Sequence, residues 1–210
     1  MGRAPGLCGI ILAAGESTRM GRDKALLPWP PDALGGSQST FLSAAIKLFS
    51  PYVDMVLVVG GKNERDLATV VFAEGASLVV NPDPARGQFS SLQAGLREVL
   101  NRGRDAAFIT LVDRPPVRKE TIALLQQSFA RAIDRGKWAV VPEYRGKHGH
   151  PVVAGREMIE VFLKAPDSSN AREVEHAHPE KIEYVSVEDP LVATNVDTPE
   201  QYAALTAALK

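Results

Sequence analysis

Ile10-Ile11-Leu12-Ala13-Ala14-Gly15-Glu16-Ser17-Thr18-Arg19-Met20-Gly21-Arg22-Asp23-Lys24 is an apolar run that stops at small residues and gives way to a polar loop. Three cations, Arg19, Arg22 and Lys24, stand there against two carboxylates, Glu16 and Asp23, for a local charge of +1. Glycine takes positive φ freely and lets a ligand approach the backbone closely. A buried strand ending in such a turn offers amides to an anion, and a lysine adds charge from the side. The spacing fits neither G-x-G-x-x-G nor G-x-x-x-x-G-K-[ST], so the dinucleotide fingerprint and the Walker phosphate loop are both absent. What remains is a basic turn after a first strand, suited to phosphate.

Outward from that loop, strand and helix patterns alternate. Residues 7–13 read as a buried strand, and residues 40–49 as a helix with Phe41, Ala44, Ala45 and Leu48 on one face and Ser39 or Thr40 as cap. Residues 53–59 form a near-continuous apolar run ending in Gly60-Gly61, the pattern of a strand covered on both faces. Helices are predicted over 63–73, 90–101, 119–134, 156–164 and 199–209, the last with Pro199 at its start. Further strands are predicted over 77–80, 106–112, 138–141, 151–153 and 182–187. Such alternation implies an α/β fold in three layers, a mostly parallel twisted sheet with helices on both faces. One domain over 1–210 is expected, with residues up to about 115 forming a first part and the rest a second. Ligands of such sheets sit at the carboxyl ends of strands, where both the opening loop and Asp113 fall. The segment 28–39 holds Pro28, Pro30, Pro31, Gly35 and Gly36 and reads as an inserted loop.

Composition narrows the function classes. A 210-residue chain buries about 70% of its unfolded surface and needs no staples. Net charge −1 argues against a nucleic-acid surface. No run of eighteen apolar residues exists, so no membrane span is expected. The start of the chain shows no charged segment followed by an apolar one, so no signal peptide is expected either. Cys8 is the only cysteine. It cannot form an intramolecular disulfide, reads as a core residue, and is compatible with a reducing cytoplasm.

Leu12-Ala13-Ala14-Gly15-x-Ser17-x-Arg19-Met20-Gly21-x-x-Lys24 resembles the signature of nucleotidyltransferases with a glycosyltransferase-A-like, Rossmann-like fold. Within that group it is most similar to the MobA-like NTP transferases, and to their molybdenum cofactor cytidylyltransferase branch. The resemblance implies that Leu12, Ala13, Ala14 and Gly15 wrap a nucleoside triphosphate. It also implies that Lys24 and Arg19 neutralise the phosphates. Alanine at position 14 resembles the cytidylyl branch, where guanylyl members more often carry glycine, so CTP is expected over GTP.

Four further segments follow in the order the family keeps. Asp113-Arg114-Pro115 alone reads as a strand terminus with a helix-capping acid; the resemblance implies that Asp113 holds Mg²⁺ or Mn²⁺. Related members often carry glutamine where Arg114 stands. In Thr194-Asn195-Val196-Asp197-Thr198-Pro199, either Asp197 or Thr198 caps the last helix, and the resemblance makes Asp197 a second metal ligand. Asn81-Pro82 with Gly87-x-x-Ser90-Ser91-Leu92 reads locally as a loop and a serine-capped helix. By resemblance Asn81, Ser90 and Ser91 contact base or ribose. Arg145-Gly146-Lys147-His148-Gly149-His150-Pro151 holds two histidines without a third metal ligand at fitting spacing. The resemblance turns this segment, with Arg145, Lys147 and His150, toward the acceptor, and Arg172 joins it more loosely. His176-x-His178 reads as surface.

The activity so implied is metal-dependent nucleotidyl transfer. A phosphate monoester of molybdopterin type attacks the α-phosphorus of a nucleoside triphosphate, and pyrophosphate leaves. Two alternatives stay open: a sugar- or alcohol-phosphate acceptor, and a non-catalytic chaperone that hands cofactor to a molybdenum hydroxylase apoenzyme. Fold alone does not separate them.

Overall fold

Valine-, isoleucine- and leucine-rich runs with no polar face must be covered on both sides, and here they lie at the centre of one sheet. The computed structural model describes residues 6–30 and 39–208. Its strands are β1 (Leu7–Leu12), β2 (Met55–Gly60), β3 (Ser77–Val80), β4 (Ala106–Leu111), β5 (Ala139–Tyr144), β6 (Lys147–His148), β7 (Val152–Gly155) and β8 (Ile182–Ser186). Its helices are α1 (Phe41–Phe49), α2 (Glu64–Ala73), α3 (Gln88–Asn101), α4 (Lys119–Asp134), α5 (Arg156–Lys164), α6 (Ala171–His176) and α7 (Pro199–Ala208).

Among the described residues the strands order as β3-β2-β1-β4-β7-β5-β6, with β8 beside β5. The first four run parallel, β7 reverses against β4, and β5 reverses again, so β5 and β8 run with the first four. The mostly parallel α/β sheet predicted above is thus present, with β7 as an inserted reversed strand. The β5–β6 reversal turns on Arg145 and Gly146, both at positive φ (50° and 77°), the backbone a tight two-residue hairpin turn requires.

Period-two alternation along the strands feeds two separate cores. Ile11, Val58 and Phe108 pack against α1, α2 and α4, while Ile10, Val59 and Ile109 pack against α3, α5 and α6. Cys8 lies in the second core with no exposure, as its sequence position implied. Burial pushes its thiol pKa up to about 11. A smaller third cluster joins Met20 and Leu27 of the opening loop to Phe41, Val196 and Leu205, so α7 supports that loop from behind.

Some elements differ from the sequence expectation. α1 is covered nearly all round, with Leu42, Ile46 and Phe49 buried and Ala44 only partly so. Its cap is Thr40, whose Oγ1 accepts from Ser43 N at 3.1 Å while Ser43 Oγ accepts from Thr40 N at 2.8 Å. α3 begins at Gln88 with Gly87 before it, so Ser90 stands inside the helix and does not cap it. β6 and α6 were not predicted, because two and six residues are too short to show a period. Segment 1–5, most of the proline- and glycine-rich loop (31–38) and residue 209 lie outside the described residues. The two ends of that loop meet where Trp29 N donates to Ser39 O at 2.8 Å.

Gly95 sets the spacing between α3 and the sheet. A Cβ there falls 2.9 Å from Val59 Cγ2 and 3.2 Å from Ile10 Cγ2. Gly95→Ala is expected to destabilise the fold. Overpacking costs about 1–3 kcal/mol, which exceeds the helix-propensity gain of about 1 kcal/mol. Urea unfolding midpoints measure it, and a stabilised variant contradicts the packing described.

Candidate active site

β1 and β4 end side by side, and the chain beyond each carries the groups that meet. After Leu12, Ala13 N still donates to Val59 O at 2.8 Å. The backbone then leaves the sheet through Ala14 and Gly15. Ser17 at φ 50° and Gly21 at φ 71° fold the loop back on itself, and Lys24 N donates to Ser17 Oγ at 3.1 Å. Asn63, just past β2, fastens both ends of the loop. Its Nδ2 donates to Ala13 O at 2.9 Å and to Asp23 Oδ2 at 2.6 Å, and its Oδ1 accepts from Gly61 N at 3.1 Å. Asp23 in turn accepts from Ala25 N at 2.9 Å and caps the turn that carries Lys24.

Lys24 is only 8% exposed. Its Nζ lies 2.6 Å from Asp197 Oδ1 and 3.4 Å from Asp113 Oδ2. Arg19 reaches the same Asp197 oxygen at 3.2 Å from an exposed position. The two acidic segments are stitched by Val196 N donating to Asp113 O at 2.9 Å and by Arg114 Nη1 donating to Thr194 O at 3.1 Å. Asn195 Nδ2 donates to the other Asp197 oxygen. Lys24 above all, then Arg19 and Arg114, hold the Asp197 carboxyl below the usual range.

The capping alternatives resolve cleanly. Thr198 Oγ1 accepts from Gln201 N at 3.4 Å while Gln201 Oε1 accepts from Thr198 N at 3.2 Å, a reciprocal box at the start of α7. Asp197 is therefore released from capping and turns to Lys24. Asp113 caps no helix, and its Oδ1 is buried without a partner.

Two adjoining cavities open here. The first, about 550 Å³, is lined by Leu12, Ala14, Gly15, Lys24, Ser91 and Asp113 among others. The second, about 880 Å³, has Arg114, His150, Arg172, Glu175 and His176 in its wall beside Phe89 and Phe162. Leu12, Gly87, Gln88 and Leu111 belong to both. Asp113 faces one cavity, and its neighbour Arg114 faces the other.

Several predicted residues stand elsewhere. Ala13 is 1% exposed and lies beneath the loop. Asn81 and Ser90 are buried behind the first cavity. Asn81 Nδ2 donates to Ser90 Oγ at 2.8 Å and Ser91 Oγ at 2.9 Å, and its Oδ1 accepts from Asp83 N at 3.0 Å. Asn81 and Ser90 therefore fix the entry to α3 and leave only Ser91 at the surface of the cavity. Asp197 lines neither cavity and reaches the site through Lys24.

On the acceptor side, His150 and Arg172 line the second cavity, whereas Arg145 and Lys147 do not. Both are exposed at the hairpin tip, with the Arg145 guanidinium 5.2 Å from the Tyr144 ring. Successive strand side chains point to opposite faces, and it is His148, next to Lys147, that lines the cavity. His176, read from sequence as surface, lines it too. Asn63, Gln88 and Glu175 escaped the sequence reading. Only Asn63 left a trace, an amide directly after the Gly60-Gly61 strand end.

Gly149 permits the close crossing that places His150. A Cβ at Gly149 falls 2.1 Å from Val192 O, and His150 N donates to that same oxygen at 2.9 Å. Burial, assisted by the Arg114 charge, drops the His150 pKa to about 3. Burial raises the Glu175 carboxyl to about 7. The signs are opposite. Folded Glu175 keeps its proton longer than the unfolded chain does, so its contribution to stability falls as pH rises from 4.5 to about 7. Folded His150 refuses a proton that the unfolded chain accepts, so stability falls as pH drops from 6.5 toward 3. Glu175→Gln is expected to stabilise the fold by about 2 kcal/mol at pH 8, a few degrees in Tm, with little change at pH 4.5. His150→Gln flattens the acid limb instead. Thermal melts across pH check both, and parallel pH profiles for parent and variants contradict them.

Comparison with known proteins places this arrangement. Residues 9–182 match the family model described as the MobA-like NTP transferase domain. Molybdenum cofactor cytidylyltransferase of Escherichia coli is 26% identical over 198 residues, covering 92% of each chain. Purine catabolism protein PucB of Bacillus subtilis is 29% identical over 99% of each chain. A probable molybdenum cofactor guanylyltransferase of Mycobacterium avium is 33% identical over 55% of this chain and 54% of its own. The crystal structure of Rv0371c from Mycobacterium tuberculosis superposes with a TM-score of 0.77 at 23% identity, over 96% of this chain and 98% of that one. The Lys24 loop, Asp113, most of β1 and every strand from β2 to β7 fall inside the matched span, and the chain belongs to the MobA-like NTP transferase family.

Proposed function

We propose that this chain is a cytoplasmic, divalent-metal-dependent nucleotidyltransferase that moves CMP from CTP to a phosphate-bearing acceptor of molybdopterin type and releases pyrophosphate. The observation that carries this reading is the convergence of Lys24 with Asp113 and Asp197 beside the first cavity, which Lys24 and Asp113 line. Cytidine is favoured by Ala14 in the wall of the first cavity and by the activity named for the Escherichia coli relative. The mycobacterial relative makes GTP the base to test against it.

The residues fit Mg²⁺ or Mn²⁺. Asp113 and Asp197 offer hard anionic oxygens to one cation, Lys24, and Asp113 Oδ1 is still without a partner. When bound there, the metal neutralises phosphate charge and orients the reacting groups. The chain supplies the rest. Leu12, Ala14 and Gly15 border the cavity that takes the triphosphate, and Asn63 holds that loop in register. Lys24 and Arg19 turn from Asp197 toward the phosphates of the leaving pyrophosphate. No side-chain nucleophile is required, because the acceptor's own phosphate attacks. Catalysis then rests on positioning and on fixed charge. The receiver of the product is a molybdenum hydroxylase apoenzyme. A chaperone without transfer activity leaves the two carboxylates without a use.

Pyrophosphate release with CTP, Mg²⁺ and molybdopterin, set beside GTP and beside sugar and alcohol phosphates, separates the readings. Asp113→Asn and Lys24→Ala are each expected to lower turnover by about 10²-fold or more with the fold retained by circular dichroism. Near-parental transfer by both variants overturns the proposal. Asn63→Ala is expected to raise KM for the nucleotide about tenfold, since the loop loses both its fastenings; steady-state kinetics at saturating acceptor measure it.

A further inference from the structure

Among the described residues, four buried side-chain polar atoms have no hydrogen-bond partner: Arg104 Nε, Asp113 Oδ1, Arg114 Nε and His150 Nδ1. Arg104 Nε still has the Asp54 carboxylate 2.9 Å away. Of the other three, Asp113 lines the first cavity and Arg114 and His150 line the second. Arg114 and His150 line the second cavity together, and the Arg114 charge is felt at the His150 ring. A buried polar atom left without a partner costs about 1–3 kcal/mol. In this cavity wall an anion with several acceptor oxygens satisfies the Arg114 guanidinium, and the His150 ring with it in the tautomer whose Nδ1 carries the proton.

We propose that Arg114, with His150, binds the acceptor's phosphate monoester and aims its attacking oxygen into the first cavity. This rests on the nucleotidyl-transfer reading and names the group that orients its nucleophile. Geometry supports the assignment. Reacting atoms must come within about 3–3.5 Å, and Arg114 follows directly on Asp113, which lines the triphosphate side. One end of the guanidinium is held still, with Nη1 on Thr194 O at 3.1 Å, which leaves Nε and the remaining nitrogen for the ligand. In the step so arranged, an oxygen of the acceptor phosphate forms a bond to the α-phosphorus. The bond from that phosphorus to the bridging oxygen breaks, and the electron pair leaves with pyrophosphate. A phosphate dianion attacks without losing a proton, so no base is needed beside it, and a histidine that stays neutral suffices.

A brace is the competing role, since Arg114 also ties the end of β4 to the segment before Asp197. Binding and kinetics tell the two apart. In chain labelled with ¹⁵N-histidine, inorganic phosphate and phenyl phosphate are titrated while the His150 ring signals, assigned through His150→Gln, are followed. A saturable shift is expected in the parent and a shift at least tenfold weaker in Arg114→Gln. Arg114→Lys keeps the charge and retains part of the binding, and it replaces Arg114→Gln should that variant not fold. In turnover, Arg114→Gln is expected to raise KM for the acceptor tenfold or more while KM for the nucleotide stays put. An absent shift, an equal shift in parent and variant, or an equal rise in both KM values overturns the proposal. Phosphate binding that depends on Arg114 without pyrophosphate release from any acceptor defeats the transfer reading and leaves the anion site standing.

Discussion

Two carboxylates and one ammonium, from residues 113, 197 and 24, share one small space beyond the ends of β1 and β4. Two like charges about 4 Å apart repel by roughly 4 kcal/mol at an effective dielectric near 20, so the pair of aspartates stands only with a cation between them. Lys24 is that cation. Its burial means that the loop carrying it must be held firmly, and the surroundings do so from three directions. Asn63 fastens the loop to β2, Met20 and Leu27 pack it on α7, and Val196 binds the C-terminal segment to Asp113. Segments nearly two hundred residues apart in sequence are thus tied through one charge cluster.

Much of this architecture was legible in the sequence because the signals were physical and long. Apolar runs such as that of β1 announce strands covered on both faces, and the helical period is unambiguous over the sixteen residues of α4. The basic loop and Asp113 were legible as types placed at strand ends, and Asp197 as an acid just before the last helix. What stayed hidden depends on direction. Arg145 and Lys147 carry the charge expected of acceptor contacts, but the hairpin holds both outside the second cavity, and the neighbouring His148 lines it in their place. Asn81 and Ser90 have the chemistry of ligand contacts and spend it on each other. Glu175 lies on a helix too short to show in the sequence, and only packing places it in the cavity wall.

The two cavities differ in charge, and that difference bears on the chemistry. At the first, Glu16, Lys24 and Asp113 stand in the wall with Arg19 and Asp197 close behind, two cations against three carboxylates. Such a site has no spare positive charge for a triphosphate. Either the aspartates must be neutralised or a further cation must accompany the nucleotide, and low-dielectric surroundings make the imbalance costly. In the function proposed, a divalent ion held by Asp113 and Asp197 would settle the balance and free Lys24 for phosphate. Around the second cavity, Arg114 and Arg172 face Glu175, whose burial keeps its proton up to about pH 7. That side is cationic as it stands and takes an anion unaided. The division falls between adjacent residues, Asp113 and Arg114, so one step of backbone presents a carboxylate to the first cavity and a guanidinium to the second.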